Sequence, residues 1–117
     1  SHGYKKNYIE TVSRIFEKYD EFLKNHEKDH LIWNGFYVRV LIYLSQGMNR
    51  YFQNKKSPKT YLERFNEFSE LVKMEPFNEA IKNIEIKNIG SKSFRIGVLL
   101  LKNKFLLLYY VLNLLIR

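Results

Sequence analysis

Cysteine is missing from all 117 residues of the sequence. Its absence excludes a disulfide framework and a metal site built on thiolates, and it is consistent with a cytosolic protein. The N-terminus also lacks the apolar core of a signal peptide. Ser1-His2-Gly3 is typical of the remnant of an expression tag. We therefore expect residues 1–3 to be foreign and residues 4–117 to form one helical accessory domain, a fragment of a longer natural chain.

Acidic residues are missing from the last 32 residues of the chain. Residues 1–85 contain 14 Lys and Arg against 12 Asp and Glu, a net charge of +2, whereas residues 86–117 contain 6 against none, a net charge of +6. A positive field confined to one segment favours an anionic partner, either phospholipid headgroups or nucleic acid. Nucleic acid is the weaker candidate, because the basic residues alternate with Leu and Tyr rather than with loop Gly and Asn.

A long uncharged apolar run is missing as well. The longest stretch without a charge, Phe105 to Ile116, has 12 residues, whereas a membrane span needs about 18 or more. Lys102 and Lys104 would lie near the middle of any longer span, where each costs about 2.5–3.5 kcal/mol. The sequence therefore predicts no transmembrane helix.

Apolar residues are nevertheless abundant. They make up 45% of the chain, with nine Phe and nine Tyr, and this content excludes disorder. Most of them recur at three- and four-residue spacing, which is typical of amphipathic helices. We therefore predict an all-α fold, a bundle of about four or five helices. The predicted helices cover residues 4–25, 30–52, 58–74, 77–83 and 92–117.

Short signals mark where these helices begin, end or meet. Ser57-Pro58 is typical of an N-cap followed by the first helical residue, and Glu75-Pro76 is expected to end the third helix. Gly47 interrupts the second helix at a cost of about 1 kcal/mol against Ala, so it predicts the close approach of another helix. Trp33 and its aromatic neighbours are candidates for a binding pocket, but aromatic residues at this spacing are more often core.

The C-terminal stretch is predicted to be one long apolar and basic helix, around which the rest of the chain is organised. Ser91 is its expected N-cap, and Lys104 alone breaks the separation of a wide apolar face from a narrow cationic stripe. Such a helix is buried in the core, is buried against a second copy, or lies in the plane of an anionic membrane surface. For the membrane case, with the tyrosines at the interface, the predicted contact residues are Lys92, Arg95, Lys102, Tyr109, Tyr110 and Arg117.

One short motif matches a catalytic pattern. His26-Glu27-Lys28-Asp29-His30 has the spacing of the zinc metalloprotease motif His-Glu-x-x-His, in which two histidines one helical turn apart bind the metal and the Glu acts as base. That motif needs one continuous helix and a third ligand. No histidine follows position 30, and Asp29 is the expected N-cap of the next helix. The sequence therefore favours a polar turn, and we assign no catalytic, metal-binding or cofactor-binding residue.

Several segments resemble the C-terminal region of bacterial family 2 glycosyltransferases, the enzymes that build capsule, exopolysaccharide, teichoic acid and lipopolysaccharide chains. They are Asn49-Arg50-Tyr51-Phe52, Lys55-Lys56-Ser57-Pro58-Lys59-Thr60-Tyr61, Pro76-Phe77-Asn78-Glu79-Ala80-Ile81, and the run Leu-Leu-Leu-Lys-Asn-Lys-Phe-Leu-Leu-Leu-Tyr-Tyr at 99–110. The resemblance implies an upstream α/β domain that binds a nucleotide-sugar with Mg²⁺ or Mn²⁺ through an Asp-x-Asp motif. This sequence lacks that catalytic pattern, because Asp20 and Asp29 are isolated and no Gly-rich turn follows a strand.

The resemblance implies a non-catalytic C-terminal domain, inactive by itself. Its parent enzyme would transfer sugar from a nucleotide-sugar to a cell-surface polysaccharide acceptor. The expected role is membrane or acceptor association, or oligomerisation, in the cytoplasm at the inner face of the cell membrane. The expected partners are the anionic membrane surface, the upstream catalytic domain or, in a homodimer, a second copy. The alternative is a helical dimerisation or protein-interaction module with no link to glycosyl transfer.

Overall fold

A computed structural model describes residues 4–25 and 29–115. These residues form six α-helices, one π-helix and one 3₁₀ helix, with no strand among them. The predicted all-α fold is therefore confirmed, with six α-helices in the described ranges rather than four or five. The elements are α1 (Tyr8–Lys24), α2 (His30–Gly47), the π-helix (Met48–Phe52), α3 (Tyr61–Leu71), α4 (Phe77–Asn83), the 3₁₀ helix (Ile86–Asn88), α5 (Lys92–Lys102) and α6 (Leu106–Leu115).

Helix α2 lies at the centre of the bundle, as its apolar circumference predicts. It packs against α1 and α4 and continues directly into the π-helix. The Asp29 side chain accepts hydrogen bonds from the N–H groups of Leu31 at 2.8 Å and Ile32 at 3.2 Å, so the predicted N-cap is confirmed. The residues of α2 and the π-helix with no exposed surface are Phe36, Val40, Leu44, Met48 and Phe52.

Helix α1 lies on α2 through one face. Phe16 of α1 is buried, and its ring meets that of Tyr43 edge-on at a centroid distance of 5.3 Å. Near the start of α1, the Tyr8 ring fills the space in which a Cβ of Gly47 would lie. The close approach predicted from Gly47 is therefore confirmed, and the helix that approaches is α1.

Helix α3 begins later than predicted, because Thr60 and not Ser57 is its N-cap. The Thr60 hydroxyl accepts a hydrogen bond from the Glu63 N–H at 3.2 Å, and the Glu63 carboxylate accepts one from the Thr60 N–H at 2.9 Å. This capping box satisfies two N–H groups at once. Ser57 caps only a short turn, in which its hydroxyl accepts a hydrogen bond from the Lys59 N–H at 3.3 Å.

The two helices that follow the loop after the π-helix differ in how well the sequence predicts them. In α3, Phe68 and Leu71 are buried, but Tyr61 and Leu62, in its first turn, are exposed. Helix α4 covers Phe77–Asn83, the range that the sequence predicts.

The prediction of a single long C-terminal helix is wrong, because the chain forms two helices there. Lys104 has a left-handed backbone conformation, with φ of 62°. The Lys104 N–H donates to the Leu101 carbonyl at 3.1 Å, and the Phe105 N–H donates to the Leu100 carbonyl at 2.9 Å. This pair of bonds is a Schellman motif, which ends a helix by satisfying its last carbonyl groups. Helices α5 and α6 have 11 and 10 residues, so neither is the long apolar helix that we expected.

Candidate functional site

Helices α5 and α6 pack against each other, and the exposed side chains of residues 92–115 form the candidate site, here termed the C-terminal surface. Ser91 begins α5 by accepting a hydrogen bond from the Phe94 N–H at 3.3 Å, so this predicted N-cap is confirmed. Gly97 lets the helices approach closely, since a Cβ at this position would lie 3.1 Å from Cε2 of Tyr109. The Lys102 ammonium donates to the Lys82 carbonyl at 3.2 Å, which ties α5 to the end of α4.

Helix α6 turns its polar side chains inward and its aliphatic side chains outward. Its buried residues are Tyr109, Tyr110 and Asn113. A helix on the surface of a globular protein ordinarily has the opposite orientation, with its apolar stripe towards the core. The outer face of α6 is therefore suited to contact with another apolar surface. Its exposed side chains are Leu107, Leu108, Val111, Leu114 and Leu115.

Hydrogen bonds to the segment after α2 hold Tyr110 inside, and a ring contact with α3 holds Tyr109. The Tyr110 hydroxyl donates to the Phe52 carbonyl at 3.1 Å, and the Gln53 side-chain amide donates to the Tyr110 carbonyl at 2.7 Å. Tyr109 stacks on Phe68 at a centroid distance of 5.7 Å. Both tyrosines are 5% exposed, so they lie in the core and not at the surface position that the membrane interpretation gave them.

The environment of Tyr109 changes its acidity. Burial raises the pKa of Tyr109 to about 12, against the smaller effect of its side-chain hydrogen bonds with Asn113 and Ser45, which lower it. The Asn113 amide also donates to the Tyr109 carbonyl at 2.9 Å. The phenol is therefore neutral at any physiological pH and acts as a packing and hydrogen-bonding group.

The cations predicted to contact a membrane differ in how far they are exposed to solvent. Lys92 and Arg95 are exposed. Lys102 is half-buried, and its burial lowers the pKa of its ammonium group. Arg117 lies outside the described residues. Lys104, which the sequence did not assign to the cationic stripe, is exposed in the turn between α5 and α6.

Helix α5 mixes these cations with apolar side chains. Ile96 and Leu99 are 44% and 42% exposed, and Arg95 lies directly beside Ile96 in the sequence. Within the described part of the chain, neither Arg95 nor Lys92 forms an ion pair. The C-terminal surface therefore combines exposed aliphatic side chains with positive charges that pair with no carboxylate of the described residues.

Of the two histidines in the His-Glu-x-x-His motif, the structure describes His30. His30 begins α2, and its Nε2 atom pairs with the Glu85 carboxylate, whereas His26 and Glu27 lie outside the described residues. Across residues 4–25 and 29–115, no three His, Cys, Asp or Glu side chains are grouped so that they could hold a metal ion. No helix within these ranges has both the length and the apolar character needed to cross a bilayer.

Comparison with known proteins finds no matching protein family, no similar curated protein and no similar solved structure.

Sequence reasoning missed two features of the C-terminal surface, and each left a signal. Lys104 is the residue that breaks the predicted apolar face, and its position is the turn that divides the two helices. Tyr109 and Asn113 are four residues apart, which places them on one side of a helix. That polar side is the inward one, so the leucines that flank the pair in the sequence, Leu107, Leu108, Leu114 and Leu115, face outward.

Proposed function

We propose that this chain is a non-catalytic helical accessory domain that docks on an anionic membrane surface through α5 and α6. The observation that carries the proposal is the orientation of α6, which buries Tyr109, Tyr110 and Asn113 and exposes five aliphatic side chains. Exposed apolar patches of this kind mark interaction sites in soluble domains. The hydrocarbon region of a lipid bilayer can bury such a face, and it needs no protein surface of complementary shape.

The charge of the same region supports an anionic surface in particular. Residues 86–117 contain six Lys and Arg and no acidic residue, and Lys92, Arg95 and Lys104 are exposed. Each such cation contributes about 1 kcal/mol near an anionic leaflet. Aliphatic side chains that enter the headgroup boundary beside these cations would give reversible binding in the plane of the interface.

The link to glycosyl transfer is a proposal that rests on the resemblance of residues 49–61, 76–81 and 99–110 to the C-terminal region of bacterial family 2 glycosyltransferases. In this proposal the parent enzyme uses a nucleotide-sugar with Mg²⁺ or Mn²⁺ and works at the cytoplasmic face of the membrane, where the domain holds it near its acceptor. Sequencing the coding region upstream of Tyr4 tests this idea. An α/β domain with an Asp-x-Asp motif supports it, and a coding region that starts close to Tyr4 contradicts it.

The second candidate is a helical dimerisation or protein-interaction module. It is favoured by the outer face of α6, because Leu107, Leu108, Val111, Leu114 and Leu115 carry no charge and would also pack against a twin helix. A homodimer formed in this way would have an isologous interface, with α6 of one copy against α6 of the other.

Sedimentation with lipid vesicles tests the membrane proposal. We expect binding to vesicles that contain phosphatidylglycerol, weaker binding at high salt because exposed charges are screened, and little binding to neutral vesicles. The variant Leu107→Gln should weaken binding, since Leu107 is 62% exposed on α6. The matched control is Leu62→Gln, because Leu62 is 69% exposed on α3, and this variant should bind normally.

The charge contribution has its own variant pair. Lys92→Gln combined with Arg95→Gln should weaken binding to anionic vesicles, whereas the control Lys55→Gln combined with Lys56→Gln removes two exposed charges of the loop before α3 and should not. A stable dimer in solution that ignores both kinds of vesicle would overturn membrane docking. It would support the interaction module instead.

A further inference from the structure

A cleft is formed by the segment before α1, by α1, by α2 and by the π-helix. Its volume is about 580 Å³, within the range of roughly 300–1,000 Å³ that is typical of small-molecule sites. Tyr8 and Tyr43 lie in its wall, and the Tyr8 hydroxyl donates to the Tyr43 carbonyl at 2.7 Å. This bond joins the α1 and α2 sides of the cleft.

The segment before α1 is fixed against the π-helix, so this part of the rim of the cleft has a defined position. The Lys5 N–H donates to the Arg50 carbonyl at 2.9 Å. The Tyr51 ring lies between two others, stacked with Tyr4 at a centroid distance of 6.0 Å and with Tyr8 at 5.6 Å. Backbone and ring contacts therefore hold Lys5 and Arg50 at the same edge.

The polar lining of this cleft is cationic. Lys5, Lys6 and Arg50 line it, together with the amides of Asn7 and Gln46. Among the described residues that line it, none is acidic. The three cations form no ion pair with any carboxylate of the described chain. Arg50 also lies in a π-helix, an element that occurs frequently at functional sites.

We propose that this cleft binds a small molecule that carries a phosphate group. Arg50 offers a planar guanidinium that suits two oxygens of one phosphate, and Lys5 and Lys6 offer ammonium groups that bind phosphate as point charges. The amides of Asn7 and Gln46 supply hydrogen bonds that are independent of charge. The tyrosine wall gives the rest of the ligand an amphipathic surface.

Calorimetric titration of the whole chain with inorganic pyrophosphate tests the proposal. The expected result is saturable binding that Arg50→Gln and Lys6→Gln each weaken by about tenfold, since each removes one charged contact. The matched control is Lys18→Gln, which removes an exposed charge of α1 that does not line the cleft and should leave the affinity unchanged. Substitution of Arg50 keeps its backbone carbonyl, and therefore the bond from Lys5, so the variant is expected to fold normally; a thermal melt checks this.

The phosphate group could belong to a soluble molecule or to a lipid headgroup, and a second arm separates the two sources. For a soluble ligand, Arg50→Gln binds phosphatidylglycerol vesicles as the unaltered chain does, because docking by α5 and α6 does not use the cleft. Vesicle binding that Arg50→Gln weakens, without any response to pyrophosphate, identifies a headgroup as the ligand. No binding of pyrophosphate at about 1 mM, together with vesicle binding that Arg50→Gln leaves unchanged, overturns the proposal.

Discussion

Tyr8 occupies the space in which residue 47 would carry a side chain. A Cβ on Gly47 would lie 2.8 Å from Cε2 of Tyr8 and closer still to its hydroxyl end. The Tyr8 hydroxyl is held there by its hydrogen bond to the Tyr43 carbonyl, at 2.7 Å. Burial raises the pKa of Tyr8 well above its ordinary value, in keeping with a phenol that is enclosed by both helices. This contact therefore sets how closely α1 lies on α2.

Gly47→Ala is expected to lower the free energy of unfolding by about 1–3 kcal/mol, because the added methyl group overpacks a contact that is already filled. Urea denaturation measures the change. The control is Gly35→Ala on the same helix, where a Cβ meets nothing within 4 Å. That variant should raise the free energy of unfolding by about 0.5–1 kcal/mol, since Ala favours helix over Gly. Equal stabilisation by both substitutions would refute the role assigned to Tyr8.

Lys104→Gly is expected to stabilise the protein by about 1 kcal/mol. Lys104 has φ of 62°, a conformation that costs an L-residue roughly 1–2 kcal/mol and glycine much less. Thermal unfolding measures the gain. Asn103→Gly is the control, because Asn103 has φ of −91° and its amide donates to the Leu99 carbonyl at 2.8 Å. The control should lose stability, and a loss with Lys104→Gly as well would argue against the left-handed turn.

Arg64→Met is expected to lower the free energy of unfolding by about 1–3 kcal/mol. The buried guanidinium donates to the carbonyls of Phe52 at 3.4 Å, Asn54 at 3.2 Å and Thr60 at 3.4 Å, and methionine leaves these acceptors without that donor. Arg39→Met, at an exposed position of α2, should change stability by no more than about 0.5 kcal/mol. Chemical denaturation of both variants would show no difference if the Arg64 contacts contributed nothing.

Alkaline pH is expected to destabilise the fold through Tyr109. The pKa of Tyr109 is about 12 in the folded chain against 10.0 for an ordinary tyrosine. Below pH 10 both states hold the proton, so stability does not depend on this group. Between pH 10 and 12 only the unfolded chain releases it, so the free energy of unfolding falls by about 1.4 kcal/mol per pH unit, to a total of about 3 kcal/mol.

Urea denaturation at a series of pH values checks this dependence. Tyr109→Phe should show a shallower fall above pH 10, and the decline that remains would include Tyr8, whose pKa burial also raises. Tyr61→Phe, at a residue that is 73% exposed, should follow the unaltered chain. Identical slopes for all three proteins would show that Tyr109 is not enclosed as described.

Local signals predicted the parts of the fold that depend on neighbouring residues. Asp29 and Ser91 cap helices as their side-chain chemistry predicts, and α4 has the predicted bounds. The start of α3 was misplaced because two N-cap signals compete. Thr60 prevails over Ser57 because Glu63 completes a reciprocal pair of hydrogen bonds with it.

The direction in which the C-terminal helices face could not be predicted in this way. Apolar periodicity assigns leucines to the core. In the structure, however, the Tyr110 hydroxyl donates to the carbonyl of Phe52, 58 residues earlier in the chain, and the Gln53 side-chain amide donates to the carbonyl of Tyr110, 57 residues later. Those partners are not visible in a local window of sequence. The candidate site depends on them, since they turn Leu107 and its neighbours outward.

Residue order alone predicts that the chain is helical, where α2, α4 and α5 begin, and that positive charge accumulates after residue 85, because spacing, caps and charge are properties of neighbouring residues. The division of the C-terminal stretch at Lys104 and the burial of the tyrosines of α6 became visible only in the folded chain. The reason is that buried polar groups must find hydrogen-bond partners. Tyr110 finds its partner at the end of the π-helix, a site that exists only after the bundle has formed.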